Sequence, residues 1–196
     1  MLLFGHAGIT LGVALLGAGI LGHRKTMVSY GKAASPHLRT VSRAVDRLSK
    51  WVDIRWILVG ALLSDIIDKP LGLLFMSNGR VFAHSLLFLG LLSIAGVVLH
   101  WRKGWTWMYA LAFGTLFHLV LDFMWQTPEV FLWPKYGVAF PVMDESAWLS
   151  DLWAGFLSAP LVSVPEVLGF GVCITFLVAL MLRRKVWQWL RRGTLE

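Results

Sequence analysis

The chain of 196 residues is 57% hydrophobic and only 15% charged, and its mean hydropathy of +0.68 lies outside the range of ordinary soluble domains. These values exclude a soluble globular enzyme and predict an all-α integral membrane helical bundle, one domain over residues 1–196 with about five transmembrane helices plus two interfacial amphipathic helices. The net charge of +7 calls for no nucleic acid if it resides in cytoplasmic loops, and Cys173 as the sole cysteine excludes an intrachain disulfide and a Cys-based zinc cluster.

Residues 2–22 are long enough to span, because about 20 residues rising 1.5 Å each match a hydrocarbon core of roughly 30 Å. They carry His6 near their start, and with no basic region or small-residue cleavage site they read as a retained first helix. Residues 23–53 form a basic loop in which Arg24, Lys25, Lys32, Arg39, Arg43, Arg47 and Lys50 face Leu38, Val41, Val45, Leu48 and Val52 at helical spacing. This predicts an amphipathic helix on an anionic membrane surface, a pattern that a solvated partner-binding helix shares. The second span, 54–68, reaches Asp65 and Asp68 before Lys69-Pro70 interrupts the helix. The third, 80–101, places Arg80 and His84 four residues apart at its start. The fourth, 105–126, holds His118 and Asp122 one turn apart toward its far end. An outer loop, 127–160, contains Trp148, Leu149, Leu152, Trp153 and Phe156 at the spacing of a second interfacial helix. The fifth span, 161–182, opens on Pro165-Glu166, and a basic tail follows.

With five spans, the 23–53 loop, the 102–104 turn and the C-terminus share one side. Of the 18 Lys and Arg only Lys69, Arg80 and Lys135 fall on the other, so the basic side is cytoplasmic, with the N-terminus outside and the C-terminus inside the cell membrane. In this layout His6, Asp65, Asp68, Arg80, His84, His118, Asp122 and Glu166 all fall toward outer helix ends. Ionisable groups in hydrocarbon cost several kcal/mol unless paired, metal-bound or wet. A shared depth across five spans therefore predicts one polar site facing outward.

Histidine and carboxylate without cysteine suit a catalytic zinc, with manganese, iron or magnesium as alternatives and one to three ions. The metal ligands expected are His6, Asp65, Asp68, His84, His118 and Asp122; Glu166 is a further ligand or general base, Asp68 also a candidate catalytic group, and Arg80 a phosphate clamp. Each residue has a plainer reading. His118 and Asp122 also suit a helix-packing hydrogen bond, Asp65 and Asp68 a solvated helix end, Arg80 and His84 an interfacial anchor, His6 a terminal polar residue, and Glu166 a partner of a helix N-terminus.

Gly5-His6, SDIIDKP at 64–70, GRVFAHSLLF at 79–88, FHLVLD at 117–122 and FLWP at 131–134 together resemble the YdjM-type membrane-bound metal-dependent hydrolase family over about two-thirds of the chain. The order of histidines and acids is more distantly similar to zinc-dependent phospholipase C. Here Asp65 and Asp68 are separated by two residues rather than one, and Ser64 replaces the usual proline. The resemblance implies a metal-activated water that cleaves a phosphoester. The expected function is a hydrolase of a lipid or lipid-linked phosphate at the outer leaflet of the inner membrane. The alternative is a non-catalytic metal- or lipid-binding protein, or a proton or ion pathway, built on the same polar cluster.

Overall fold

The computed structural model describes residues 3–21, 53–72, 74, 79–141, 148–182, 184 and 186–192. The expected amphipathic helix at 38–52 lies outside them. Among the described residues the chain is helical, without strands: α1 (Leu3–Leu21), α2 (Ile54–Leu71), α3 (Leu86–Lys103), α4 (Trp107–Leu121), the short α5 (Pro128–Phe131), α6 (Trp148–Ser158), α7 (Pro160–Leu182) and α8 (Val186–Arg192).

Helix boundaries follow local chemistry and correct three sequence expectations. Ser85 caps α3, accepting the amide of Phe88 at 3.2 Å and donating to the carbonyl of Phe82 at 2.7 Å, a strong start signal. The third helix therefore begins at Leu86 rather than at residue 80, and Arg80 and His84 precede it in a segment with a single 3-10 turn, Phe82–His84. At the other end of α3 Gly104 adopts φ 69° and returns its amide to the carbonyl of His100, the left-handed stop that glycine accepts without strain. The fourth helix ends at Leu121 rather than at 126, so Asp122 is its cap and not an internal residue. The second helix passes Pro70 and stops at Leu71; the proline sits in the last turn, where little of the helix remains to be disrupted.

Two close helix pairs form the bundle, α2 against α4 and α1 against α7, joined through α1 and α2; α3 packs on α4, and α6 on α7. Each pair closes on glycines. A Cβ on Gly60 would overlap the backbone of Leu111, and one on Gly114 the backbone of Ile57 and Ala61; likewise one on Gly8 would overlap the backbone of Gly169, and one on Gly169 that of Phe4. Small residues that let backbones touch are the usual means by which helices associate in lipid.

An apolar core of Leu11, Ala14, Leu15, Ile54, Ile57, Ala110, Phe176 and Leu180 fills one end. There α8 folds back, with Trp189 edge-on to Phe176 at 5.4 Å and Leu190 accepting from Arg55 at 2.9 Å. The opposite end is polar: His6, Asp68, His84, His118 and Glu166 are buried. Helices α1 and α7 reach this end at their N-termini and α2 and α4 at their C-termini, so the long helices alternate in direction.

The surface is the reverse of a soluble protein. Leu86, Leu91, Ile94 and Val98 of α3 are exposed, as are Leu161, Val167, Leu168 and Leu182 of α7. Among the described residues only α3 and α7 are both long and apolar enough to cross a membrane by themselves; Leu3–Gly17 and Trp107–Leu121 are shorter apolar stretches. The second expected span has the length but not the apolarity, because Asp65, Asp68 and Lys69 lie in it. The expected second interfacial helix coincides with α6.

Candidate metal centre

Asp65 and Asp68 stand one turn apart on α2, yet they do different things. Asp68 is fully buried and folds the 80–85 segment onto the helix end. Its Oδ1 accepts the amide of Ala83 at 2.9 Å, and its Oδ2 accepts the amides of Val81 and His84 at 2.8 and 3.0 Å. The same Oδ2 lies 2.7 Å from His84 Nδ1. A carboxylate that holds three amides and an imidazole is committed to positioning. It fixes the ring so that Nδ1–H donates to Asp68 and Nε2 is turned toward His118 and Asp65, the arrangement seen behind metal-ligating histidines. Ser64, also buried, donates to the carbonyl of Ala83 at 2.8 Å and pins the same segment. The expectation of Asp68 as a direct ligand is thus replaced by a place behind His84.

His118 is set the same way. The close α2–α4 crossing at Gly60 and Gly114 brings its Nδ1 to 2.8 Å from the carbonyl of Ala61. That carbonyl can only accept, so Nδ1 carries the proton and Nε2 is bare. His84 Nε2 and His118 Nε2 face each other at 3.2 Å. At that distance a bare His118 Nε2 suits either a proton carried on His84 Nε2 or a metal ion between the two nitrogens.

Asp65 completes the triangle. Its Oδ1 lies 3.6 Å from His84 Nε2 and 3.9 Å from His118 Nε2, while its Oδ2 is held by Lys69 Nζ at 2.8 Å. A point equidistant from three atoms with these separations lies about 2.1 Å from each, the bond length of zinc to imidazole and carboxylate. The three donors fit one first-row metal ion.

His6 and Asp122 flank this triangle. His6 Nε2 is 3.1 Å from Asp122 Oδ1, but neither ring nitrogen of the fully buried His6 makes an aligned hydrogen bond among the described residues. Asp122 Oδ2 meets Arg80 Nη2 at 3.0 Å and stands 3.9 Å from His84 Nε2. Arg80 remains 36% exposed at its side chain while the carboxylate is almost fully covered, so the guanidinium forms part of the mouth. By distance, His6, Asp65 and His118 form one group able to hold a metal, and His84, His118 and Asp122 another.

Glu166 does not join them. Its Oε2 accepts the amide of Phe4 at 3.0 Å and its Oε1 that of Gly5 at 2.9 Å. Both oxygens satisfy free N–H groups in the first turn of α1, and the carboxylate complements that helix's positive end. The expected ligand or general base is a clamp on the turn that carries His6. Sequence reasoning missed the glycine crossings and the roles of Ser64 and Ala61; only the small residues at 60 and 114 hinted at a close approach.

The family model described as YdjM inner membrane protein matches residues 1–188. No curated protein and no solved structure matches the chain.

Proposed function

Because this chain belongs to the YdjM family of inner membrane proteins, we propose that its polar end is the centre of a membrane-embedded, metal-dependent hydrolase acting on the phosphoester of a lipid or lipid-linked substrate. The observation that carries the reading is the approach of two imidazole nitrogens, His84 Nε2 and His118 Nε2, to 3.2 Å with a carboxylate oxygen of Asp65 completing the triangle.

In this reading His84, His118 and Asp65 hold the ion, most simply zinc, given nitrogen and oxygen donors without sulfur. When bound, such an ion supplies Lewis acidity toward a phosphoryl oxygen and toward water. The protein's own groups do the rest. Asp68 and the Ala61 carbonyl hold the two rings in the tautomer that donates to metal. Arg80, partly exposed beside Asp122, binds a phosphate oxygen and orients the ester. The packed helices exclude bulk water from the histidines. The exposed apolar faces of α3 and α7 support an amphiphile from the bilayer over a soluble polymer as the substrate. In this reading the chain crosses five times with its N-terminus outside and its basic loops inside, and the polar end faces the outer leaflet.

The test is turnover: purified protein loaded with zinc or manganese, presented with phospholipids and prenyl phosphates in mixed micelles, is expected to release phosphate or headgroup. Release should fall at least 100-fold in His118→Ala. Full metal occupancy with no release from any of these substrates would favour a metal-binding protein without turnover. A second reading has its own support, since 3.2 Å also suits a proton shared by two imidazoles; protein that purifies without metal yet conducts protons in vesicles would establish it.

A further inference from the structure

His6 is out of place in a centre with a single ion. A metal bonded in the plane of an imidazole lies on the line from the ring centre through the nitrogen. Two rings that share an ion with nearly parallel planes must therefore lie side by side. The planes of His6 and His118 are 27° apart with centroids separated by 4.1 Å. Side-by-side rings would collide at that separation, so these two are stacked face to face and their lone pairs cannot meet on one ion. His84 and His118 are the contrast: their planes are 64° apart and their centroids 5.1 Å apart, close to the separation of about 5.3 Å for two rings directed at one ion at the tetrahedral angle. His118 has no second lone pair to offer, because its Nδ1 is engaged by Ala61.

His6 is nonetheless fully buried with neither ring nitrogen in an aligned hydrogen bond among the described residues, and Asp122 Oδ1 lies 3.1 Å from its Nε2, a separation that two ligands of one ion readily adopt. We infer that His6 and Asp122 form the seat of a second metal ion beside the one held by His84, His118 and Asp65. This rests on the reading of the cluster as a metal centre and deepens it. With two protein ligands among the described residues the second seat is the weaker, and it leaves coordination positions for substrate. Asp122 stands between the seats, with Oδ2 3.9 Å from His84 Nε2. Paired ions roughly 3.5 to 4 Å apart bind two oxygens of one group at once. The substrate class that matches is a phosphoester with at least two free phosphoryl oxygens, in preference to a carboxyl ester, which offers a single carbonyl oxygen.

The experiment is a metal count. Detergent-purified full-length protein, stripped with chelator, is titrated with manganese or zinc, and bound metal per chain is measured by plasma mass spectrometry after desalting. Paramagnetic resonance is recorded on the manganese form. The expected result is two ions per wild-type chain, the second bound at least 10-fold more weakly, with a spin-coupled manganese spectrum. His6→Gln and Asp122→Asn are each expected to bind one ion with an uncoupled spectrum. Saturation of wild type at one ion overturns the second seat and, if His118→Ala then loses that ion, leaves the first intact. Two ions in both variants also overturn it. A wild-type chain that binds no metal removes both seats. The wild-type count stands even where a variant fails to fold.

Discussion

Asp68 and Asp65 show how two like residues one helical turn apart are separated by their surroundings. Asp68 spends its oxygens on three amides and one imidazole; Asp65 turns one oxygen to the histidines and the other to Lys69. Asp68→Asn exchanges an acceptor oxygen for a donor amide, leaving buried N–H groups short of a partner at about 1–3 kcal/mol. The expected outcome is a lower melting temperature in detergent together with a 10–100-fold loss of metal affinity, the usual effect of removing a carboxylate behind a ligating histidine. Asp65→Asn is expected to cost more affinity and less stability, since its side chain keeps 18% exposure; a metal titration and a thermal melt on both variants separate the two roles. Glu166→Gln keeps one oxygen acceptor for the first turn of α1 and should lower stability by about 1–3 kcal/mol while leaving the ion on His84 and His118 in place. Complete loss of that ion would return Glu166 to the ligand set.

At the scale of helices the glycine crossings set the reach of the histidines. Along α1 the surroundings grade from open to closed: a Cβ at Gly17 meets nothing within 4 Å, one at Gly12 makes ordinary contact with Val172 at 3.6 Å, and one at Gly8 strikes the Gly169 backbone. Alanine at 17 should be neutral and at 12 nearly so, whereas Gly8→Ala must push α1 from α7 and should cost about 1–3 kcal/mol, measured as a shift in detergent melting. Gly114→Ala is expected to be the most damaging to the metal centre, because it separates α4 from α2 one turn before His118; a loss of metal greater than that in Gly8→Ala checks it. These crossings were not legible in the sequence. Hydropathy identifies apolar helices but does not say which will touch, and a glycine in lipid has many uses. Helix ends were misplaced at 80 and 126 for a related reason: apolar residues continue past the caps, and only the folded position of Ser85 and Asp122 marks the stop.

For the molecule as a whole, what sequence did make legible was the set of residues that do not belong in hydrocarbon. His6, Asp65, His84, His118 and Asp122 stand out against apolar neighbours, and the charge asymmetry of the loops implied that they share an end, which the fold bears out. It could not distinguish a proposed ligand from the residue that orients it, since Asp68 and Glu166 differ from the proposed ligands only in what lies across from them. Orientation in the bilayer remains a prediction at this scale. With Cys173 replaced by serine, single cysteines placed within residues 23–50 should react with an impermeant maleimide only after the membrane is opened. Reaction in intact cells would invert the molecule.

The clamp between Glu166 and the amides of Phe4 and Gly5 spans 162 and 161 positions of sequence, and it bears on biogenesis. His6 emerges first during synthesis, but the turn that aims it is secured only when α7 arrives. The cluster can therefore be completed only after the last long helix has entered the membrane, and a nascent or truncated chain lacking α7 presents the remaining histidines without their partner.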